Sequence, residues 1–429
     1  FFRFYRLDVI PPEMTSDHVE KLLDVNRILN GTTDIFMRSN AGRESLHFYL
    51  LALESLLFGT GISFTTLKLG SIIEGLLLIP LIVVLAREVI DQETGFIAAA
   101  LLAVSWWHVM LSRLGLRIVL TPLIMTLILI VLIRGIRTGE RKAWLWAGFW
   151  MGIGVYSYQA LRMTPLVALA AYLVAIVRPL FSAVRASLRA QVAARRQQEI
   201  ALNTVSRQSL NLVAAGIIAL AFFAPMLRVW HDYPADLWNR VINRTTENEV
   251  TYQSSPGEVF TDNYRRALGM WNIEGDASWF ISVPGVPMLD VITGGLFVLG
   301  VTAWALRLWT RRDPVDGFVI LAILIMLLPS ALALAFPIEN PSTTRGSGTL
   351  PLVFVLAAWP LSLIVQQIRR LASHNSGRIL GGALAAGLIA LAAFNNYGIY
   401  FNDYRLSYQS SAPNPGEIAD AVREVIGPD

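Results

Sequence analysis

The chain has 429 residues, 54% hydrophobic and only 15% charged, with a mean hydropathy of +0.52. A soluble domain carries about 25% charge, so a water-soluble fold is excluded and a chain crossing the membrane many times is predicted. There is no cysteine, which removes disulfides, thiolate metal sites and cysteine nucleophiles, and a net charge of +4 in such a chain points to membrane sidedness rather than to nucleic acid.

In chain order, Phe1-Phe2-Arg3-Phe4-Tyr5-Arg6 reads as the end of a first span. A first loop, 8–65, follows. Its stretch Val19–Leu29 is apolar at 19, 22, 23, 25, 28 and 29, which predicts a helix lying at the membrane surface, capped by Thr15 or Ser16. Asp17 falls in the first turn of that helix, either as an acid facing the helix dipole or as a carboxylate base in a membrane-embedded cavity. Arg43 and Glu44 precede the next helix and read as a surface ion pair. The run 47–59 has 13 residues and contains Glu54, too short and too polar to cross, so an interfacial helix is expected.

Ten apolar runs follow, near 66–86, 95–111, 118–133, 143–157, 161–177, 209–228, 289–306, 317–336, 347–367 and 379–399. With the remnant at the start, the prediction is an all-α polytopic membrane protein of about eleven spans, each needing about 20 residues. The loops between them are of two kinds. Short basic ones, together with the longer stretch 178–208, hold 17 Lys/Arg against 7 Asp/Glu. The others, 8–46, 229–288, 337–346 and the tail 400–429, are acidic or mixed. The Lys/Arg bias assigns the first kind to the cytoplasm and the second to the outer face. Residues 1–399 are expected to form one transmembrane catalytic domain, and 400–429, with a helical pattern over Gly416–Ile426, to begin an external one.

The chemistry is expected on the outer face. Lys68, Arg113, Arg117, Arg162 and Arg345 all stand at outer span ends. One such cation is an anchor whose charge reaches the headgroups; five in short loops suggest a seat for a phosphate. Tyr156, Tyr158 and Gln159 beside Arg162 suit a sugar or acceptor, or the aromatic belt. Glu74 inside a span is costly and marks a functional position or a pair. Asp17, His18 and Glu44 are the one candidate set for a divalent cation. Asn30-Gly31-Thr32 and Asn243-Arg244-Thr245 fit the glycosylation sequon, a pattern short enough to arise by chance.

The segments RLDVIPPEMTSDH (6–18), GRESLHFYL (42–50), FGTGISFTTLKLGSIIEG (58–75), SWWHVMLSRLGLR (105–117), GVYSYQALRMTPL (154–166) and TTRGSGTLPLVFVLAA (343–358), in that order, resemble the GT-C superfamily of membrane glycosyltransferases. The similarity is to its protein O-mannosyltransferase and aminoarabinose-transferase branch. The resemblance implies a GT-C-like fold. It also implies a polyprenyl-phosphate-linked sugar donor, an acceptor hydroxyl on a protein, lipid or glycan, and a bacterial cytoplasmic membrane with the site facing outward. It maps the catalytic carboxylate onto Asp17, with His18 where the family has a second acid and with Glu44 in support. It places the lipid phosphate at Arg345, Arg162, Arg117, Arg113 and Lys68, the last standing where the family has arginine. The competing expectation is a transporter or flippase, favoured by Glu74.

Overall fold

A computed structural model describes residues 1–39, 42–187, 192–246, 254–372 and 374–412; the helical pattern expected at 416–426 and Arg189 of the basic stretch lie outside them. The described chain is almost entirely helical. Residues 1–10 form turns rather than the end of a span. The surface helix is α1 (Ser16–Leu29), opened by Thr15, whose N–H is accepted by His18 Nδ1 at 3.0 Å. A two-residue antiparallel pair, β1 (Phe36–Met37) and β2 (Arg43–Glu44), closes the loop after it. The short apolar helix α2 (Leu46–Phe58) ends at Gly59, whose φ of 64° stops the helix at no steric cost.

The membrane-spanning body follows: α3 (Phe64–Val89), α4 (Gln92–Val104), α5 (Trp106–Arg113), α6 (Leu120–Thr138), α7 (Arg141–Gly154), α8 (Thr164–Ser187) and α9 (Val192–Asp232). Two helices, α10 (Pro234–Thr245) and α11 (Pro256–Gly269), lead to α12 (Val291–Arg311), α13 (Pro314–Ala331), α14 (Leu350–Leu371) and α15 (His374–Tyr397). A π-helical turn, Gly398–Tyr404, carries α15 without a break into α16 (Arg405–Ser411). The helix therefore runs through residue 399, and Tyr408 beyond it donates to the Glu13 carbonyl at 2.9 Å.

By length and composition, eight described helices can cross a membrane, or nine if α4 and α5 count as one broken span. Each of the ten apolar runs overlaps a helix, with 95–111 divided between α4 and α5, but the expected count of eleven is not reached: the first six residues are turns, and α7 is only 14 residues long. The 61° bend between α4 and α5 falls at Ser105, and the Trp106 N–H freed by it donates to Asn396 Oδ1 at 2.8 Å. Inside a bilayer such a break needs an internal partner, and α15 supplies it.

Helices α6 and α14 form the buried centre, with α3, α4, α8, α12 and α13 around them and α9 and α15 at the rim. Small residues bring backbones together. A Cβ on Gly148 of α7 would lie 2.3 Å from the Ala215 carbonyl of α9, and one on Gly300 of α12 would lie 2.0 Å from that of Leu356 of α14.

Candidate active site

On the side of the molecule where α1 lies, five segments converge on a polar cavity of about 550 Å³. Ser16 and Asp17 come from the start of α1, and Tyr158 and Gln159 from the turn between α7 and α8. Asn243 and Arg244 come from the end of α10, Asp276, Ser278 and Ile281 from the loop before α12, and Glu339, Ser342, Thr344 and Arg345 from the loop before α14. The cavity thus gathers Asp17, Tyr158, Gln159 and Arg345 from the predicted residues.

Asp17 is held by its own helix. Lys21 Nζ, one turn on, donates to the Asp17 carbonyl at 2.6 Å and to its Oδ1 at 3.0 Å, while about half of the Asp17 side chain stays accessible. Burial lowers Lys21 to about 8, so it is charged at neutral pH, and it favours ionised Asp17. His18 points the other way. It is fully buried, and its Nε2–H donates to the Leu114 carbonyl at 2.6 Å while Nδ1 accepts the Thr15 N–H. Burial pushes His18 down to about 4, which keeps it neutral, and the Leu114 carbonyl and Thr15 N–H set this tautomer. Its place is to pin the first turn of α1, and with it Asp17, to the loop at residue 114.

Arg345 sits on a loop that is hydrogen-bonded at nearly every residue. Asn340 Nδ2 donates to the Ser330 carbonyl at 2.6 Å, and the Ser342 N–H to Ser330 Oγ at 3.0 Å. The Thr343 N–H donates to Asp276 Oδ2 at 2.8 Å, and Trp107 Nε1 to the Thr343 carbonyl at 3.3 Å. One guanidinium nitrogen of Arg345 pairs with Glu339, and the same carboxylate oxygen accepts from Arg244 Nη1 at 2.6 Å. The other nitrogen, Arg345 Nη1, is buried without a hydrogen-bond partner among the described residues. Asp276 also accepts the Ser278 N–H at 2.9 Å, and burial raises it to about 6 against the pull of those bonds and of Arg345.

The remaining predicted residues lie elsewhere. Arg113 is fully buried and donates to four carbonyls of the first turns, Phe2, Tyr5, Arg6 and Ile10, at 2.8–3.1 Å. Lys68 likewise caps the Leu7 and Pro11 carbonyls at 2.6 and 2.8 Å. Both cations satisfy backbone that no helix pairs, and neither lines the cavity. Arg43 and Glu44 are buried and pair apart rather than with each other at the surface. Arg43 binds Asp24 at 2.7 Å, and Glu44 lies between Arg117 at 3.1 Å and Arg162 at 3.3 Å. Arg117 then stacks over Tyr158, 5.5 Å from its ring centre, so Glu44 and Arg117 back the cavity wall. Tyr156 turns away and donates to the Phe222 carbonyl at 2.7 Å. Glu74 accepts from His47 at 2.9 Å, tying α2 to α3.

Arg162 lines two apolar grooves that lead off the cavity. The first, about 250 Å³, shares Gln159, Arg244 and Arg345 with it and adds Trp238, Val241 and Leu332. The second, about 230 Å³, shares Arg162 and Trp238 with the first and runs past Met151, Leu220 and Phe223. Leu220 is exposed on α9, so this end opens on the membrane-facing side of the helix.

Among the described residues no three His, Asp or Glu side chains are placed to hold a metal ion. The candidate set Asp17, His18 and Glu44 is not brought together: His18 has both nitrogens engaged, and Glu44 is taken by two arginines. Arg244, Asp276 and Glu339 escaped the sequence reading. Arg244 was hidden in a sequon, Glu339 stands six residues before Arg345 in PIENPSTTRG, and Asp276 lies in a long loop with no local signal.

Residues 45–194 match the family described as dolichyl-phosphate-mannose-protein mannosyltransferase. No curated protein matches the sequence. The fold is similar to the oligosaccharyltransferase AglB of Archaeoglobus fulgidus, solved with an inhibitory peptide and a dolichol-phosphate. The TM-score is 0.52 at 15% identity, over 94% of this chain and 55% of that one, so the chain spans about half the length of AglB. It is also similar to ArnT of Cupriavidus metallidurans bound to undecaprenyl phosphate, with a TM-score of 0.53 at 14% identity over 96% of this chain and 75% of that one. The chain thus shares its overall fold with AglB and ArnT, and its residues 45–194 match the mannosyltransferase family.

Proposed function

We propose that the chain is a glycosyltransferase that moves a sugar from a polyprenyl-phosphate donor to an acceptor hydroxyl, in the cavity that joins Asp17 to Arg345. The observation that carries this reading is the sequence of environments along one path. A carboxylate and two arginines share a polar cavity, and the arginines stand where it meets grooves lined by Trp238, Leu332 and Leu220. A lipid phosphate has that profile, with charge at one end and a long apolar tail at the other. The family match and the lipid phosphates bound by AglB and ArnT support the same reading.

The chemistry follows from the placement. Asp17, ionised beside Lys21, takes the proton of the acceptor hydroxyl as its oxygen attacks the anomeric carbon. The bond from that carbon to the phosphate oxygen breaks, and its electrons stay on the lipid phosphate. Arg345 and Arg244 stabilise the charge that develops there. Tyr158 and Gln159, between the two ends, contact the sugar. A single displacement inverts the anomeric configuration. The Lys/Arg bias of the loops puts this side of the molecule outward.

Purified protein supplied with radiolabelled polyprenyl-phosphate sugars and candidate acceptors tests the reading. Transfer that requires Arg345 supports it, whereas movement of the lipid across a vesicle membrane without any transfer overturns it in favour of a flippase. The structure offers that alternative little, because Glu74, the acid that suggested transport, is paired with His47 away from the cavity.

A further inference from the structure

The two arginines of the proposed phosphate seat already hold an anion. Glu339 closes the short 3₁₀ turn Pro337–Glu339, and one of its carboxylate oxygens accepts from Arg244 and from Arg345 together. A phosphate oxygen entering the seat would make the same two bonds. We propose that Glu339 is a built-in competitor for the lipid-phosphate seat, and that its charge drives the product phosphate out after each turnover. This rests on the donor reading above.

The carboxylate is charged under working conditions. Burial alone would raise its pKa, but the hydrogen bond from Arg244 and the charge of Arg345 override it and hold Glu339 below the usual carboxylate range. It is also tethered. The Glu339 N–H bonds to the Phe336 carbonyl at 3.0 Å, the Asn340 N–H to that of Pro337 at 3.1 Å, and the Asn340 side chain is locked onto Ser330. A phosphate that displaces the carboxylate from the arginines therefore leaves it close by. The seat has a spare donor as well, the buried Arg345 Nη1, so an incoming phosphate can bind before Glu339 has let go.

Donor and product differ in charge. The donor is a phosphodiester with one negative charge. When the anomeric carbon–oxygen bond breaks and its electrons stay on oxygen, the product is a phosphomonoester of about −1.5 to −2 at neutral pH. Two arginines alone would bind the product more tightly than the donor, and turnover would stall. A fixed carboxylate beside the seat repels the product about twice as strongly as the donor, since Coulomb repulsion scales with the charge. Glu339 thus tilts the seat toward the donor.

The test is Glu339→Gln, which keeps the shape and removes the charge. Transfer is followed with undecaprenyl phosphate as the added product, together with direct binding of that lipid, and Glu339→Asp serves as the charge-retaining control. The expected result is that Glu339→Gln lowers the inhibition constant of undecaprenyl phosphate by about tenfold, as removal of one nearby like charge should. The donor KM should fall by a smaller factor, and steady-state kcat should drop as product release slows. Glu339→Asp should restore the wild-type ratio. An unchanged or higher inhibition constant in a folded Glu339→Gln protein overturns the proposal. If wild type binds undecaprenyl phosphate and Arg345→Ala weakens it while Glu339→Gln does not tighten it, only the role of Glu339 fails. If wild type does not bind the lipid at all, the donor reading fails and this proposal falls with it.

Discussion

Replacing Asp17 by Asn separates chemistry from folding more cleanly than any other change in the cavity. The asparagine has the same shape, and Lys21 keeps its 2.6 Å bond to the residue 17 carbonyl, which does not depend on the side chain. The Asp17 side chain is about half accessible but Lys21 is buried, so losing the pair costs more than the about 0.2–1 kcal/mol of an exposed pair and less than the about 3–5 kcal/mol of breaking a fully buried one. The melting temperature in detergent should therefore fall modestly, with the protein still folded. A positioned general base, by contrast, contributes about 10²–10⁴ in rate, or about 2.7–5.4 kcal/mol at about 1.36 kcal/mol per tenfold. The assay is single-turnover transfer of labelled sugar, with lipid-donor binding and thermal melting measured on the same preparation. The expected outcome is a drop of about 100-fold or more in the chemical step, with donor binding close to wild type and the protein still folded by its melt. Transfer within a few-fold of wild type would show that Asp17 is not the base and would leave Asp276 as the next carboxylate of the cavity to test.

Arg345→Lys keeps the charge but loses the second nitrogen of the fork. The loss of a charged hydrogen bond, about 1.5–3 kcal/mol, should raise donor KM by about ten- to a hundredfold, with Arg345→Ala worse. Asp276 should give an acid limb: as pH falls through about 6 its carboxylate is protonated, its grip on the Thr343 and Ser278 N–H groups weakens, and kcat/KM should fall. Asp276→Asn should remove that limb. The sign for stability is opposite, because a pKa raised above the ordinary 3.8 makes burial of this group cost the fold least below 3.8 and most above about 6. Thermal melts across that window, compared with Asp276→Asn, check this. Leu220→Trp should fill the groove of about 230 Å³, raising KM for long-tailed donors and sparing donors with a short tail; equal effects on both would disconnect the groove from the tail.

The membrane-spanning architecture was legible in the sequence because hydropathy acts over whole runs: each of the ten predicted spans overlaps a helix, and only 95–111 is divided over two α-helices, α4 and α5. The surface helix carrying Asp17 was legible too, from its apolar spacing and its cap. The span count was not, because turns at residues 1–10 and a 14-residue α7 depend on what packs around them. Among the five cations at span ends, sequence could not separate those that hold backbone from those that face a cavity. Arg113 and Lys68 stand at span ends as Arg345 does, yet they donate to carbonyls of residues 2–11 and do not line the cavity. Which cation faces the cavity is settled by contacts more than a hundred residues apart in several cases, and no local motif encodes them. The same holds for Glu44, which stands beside Arg43 in the chain but pairs with Arg117 and Arg162. It holds for Asp276 as well, whose carboxylate is fixed by the Thr343 N–H from a loop over 60 residues away. Sequence alone determined an all-helical membrane protein with Asp17 at the start of a surface helix. Only the tertiary structure decided that Arg244, Glu339 and Arg345 share one carboxylate oxygen at the edge of the same cavity, because long-range packing chooses which charges are satisfied by backbone and which remain for a ligand.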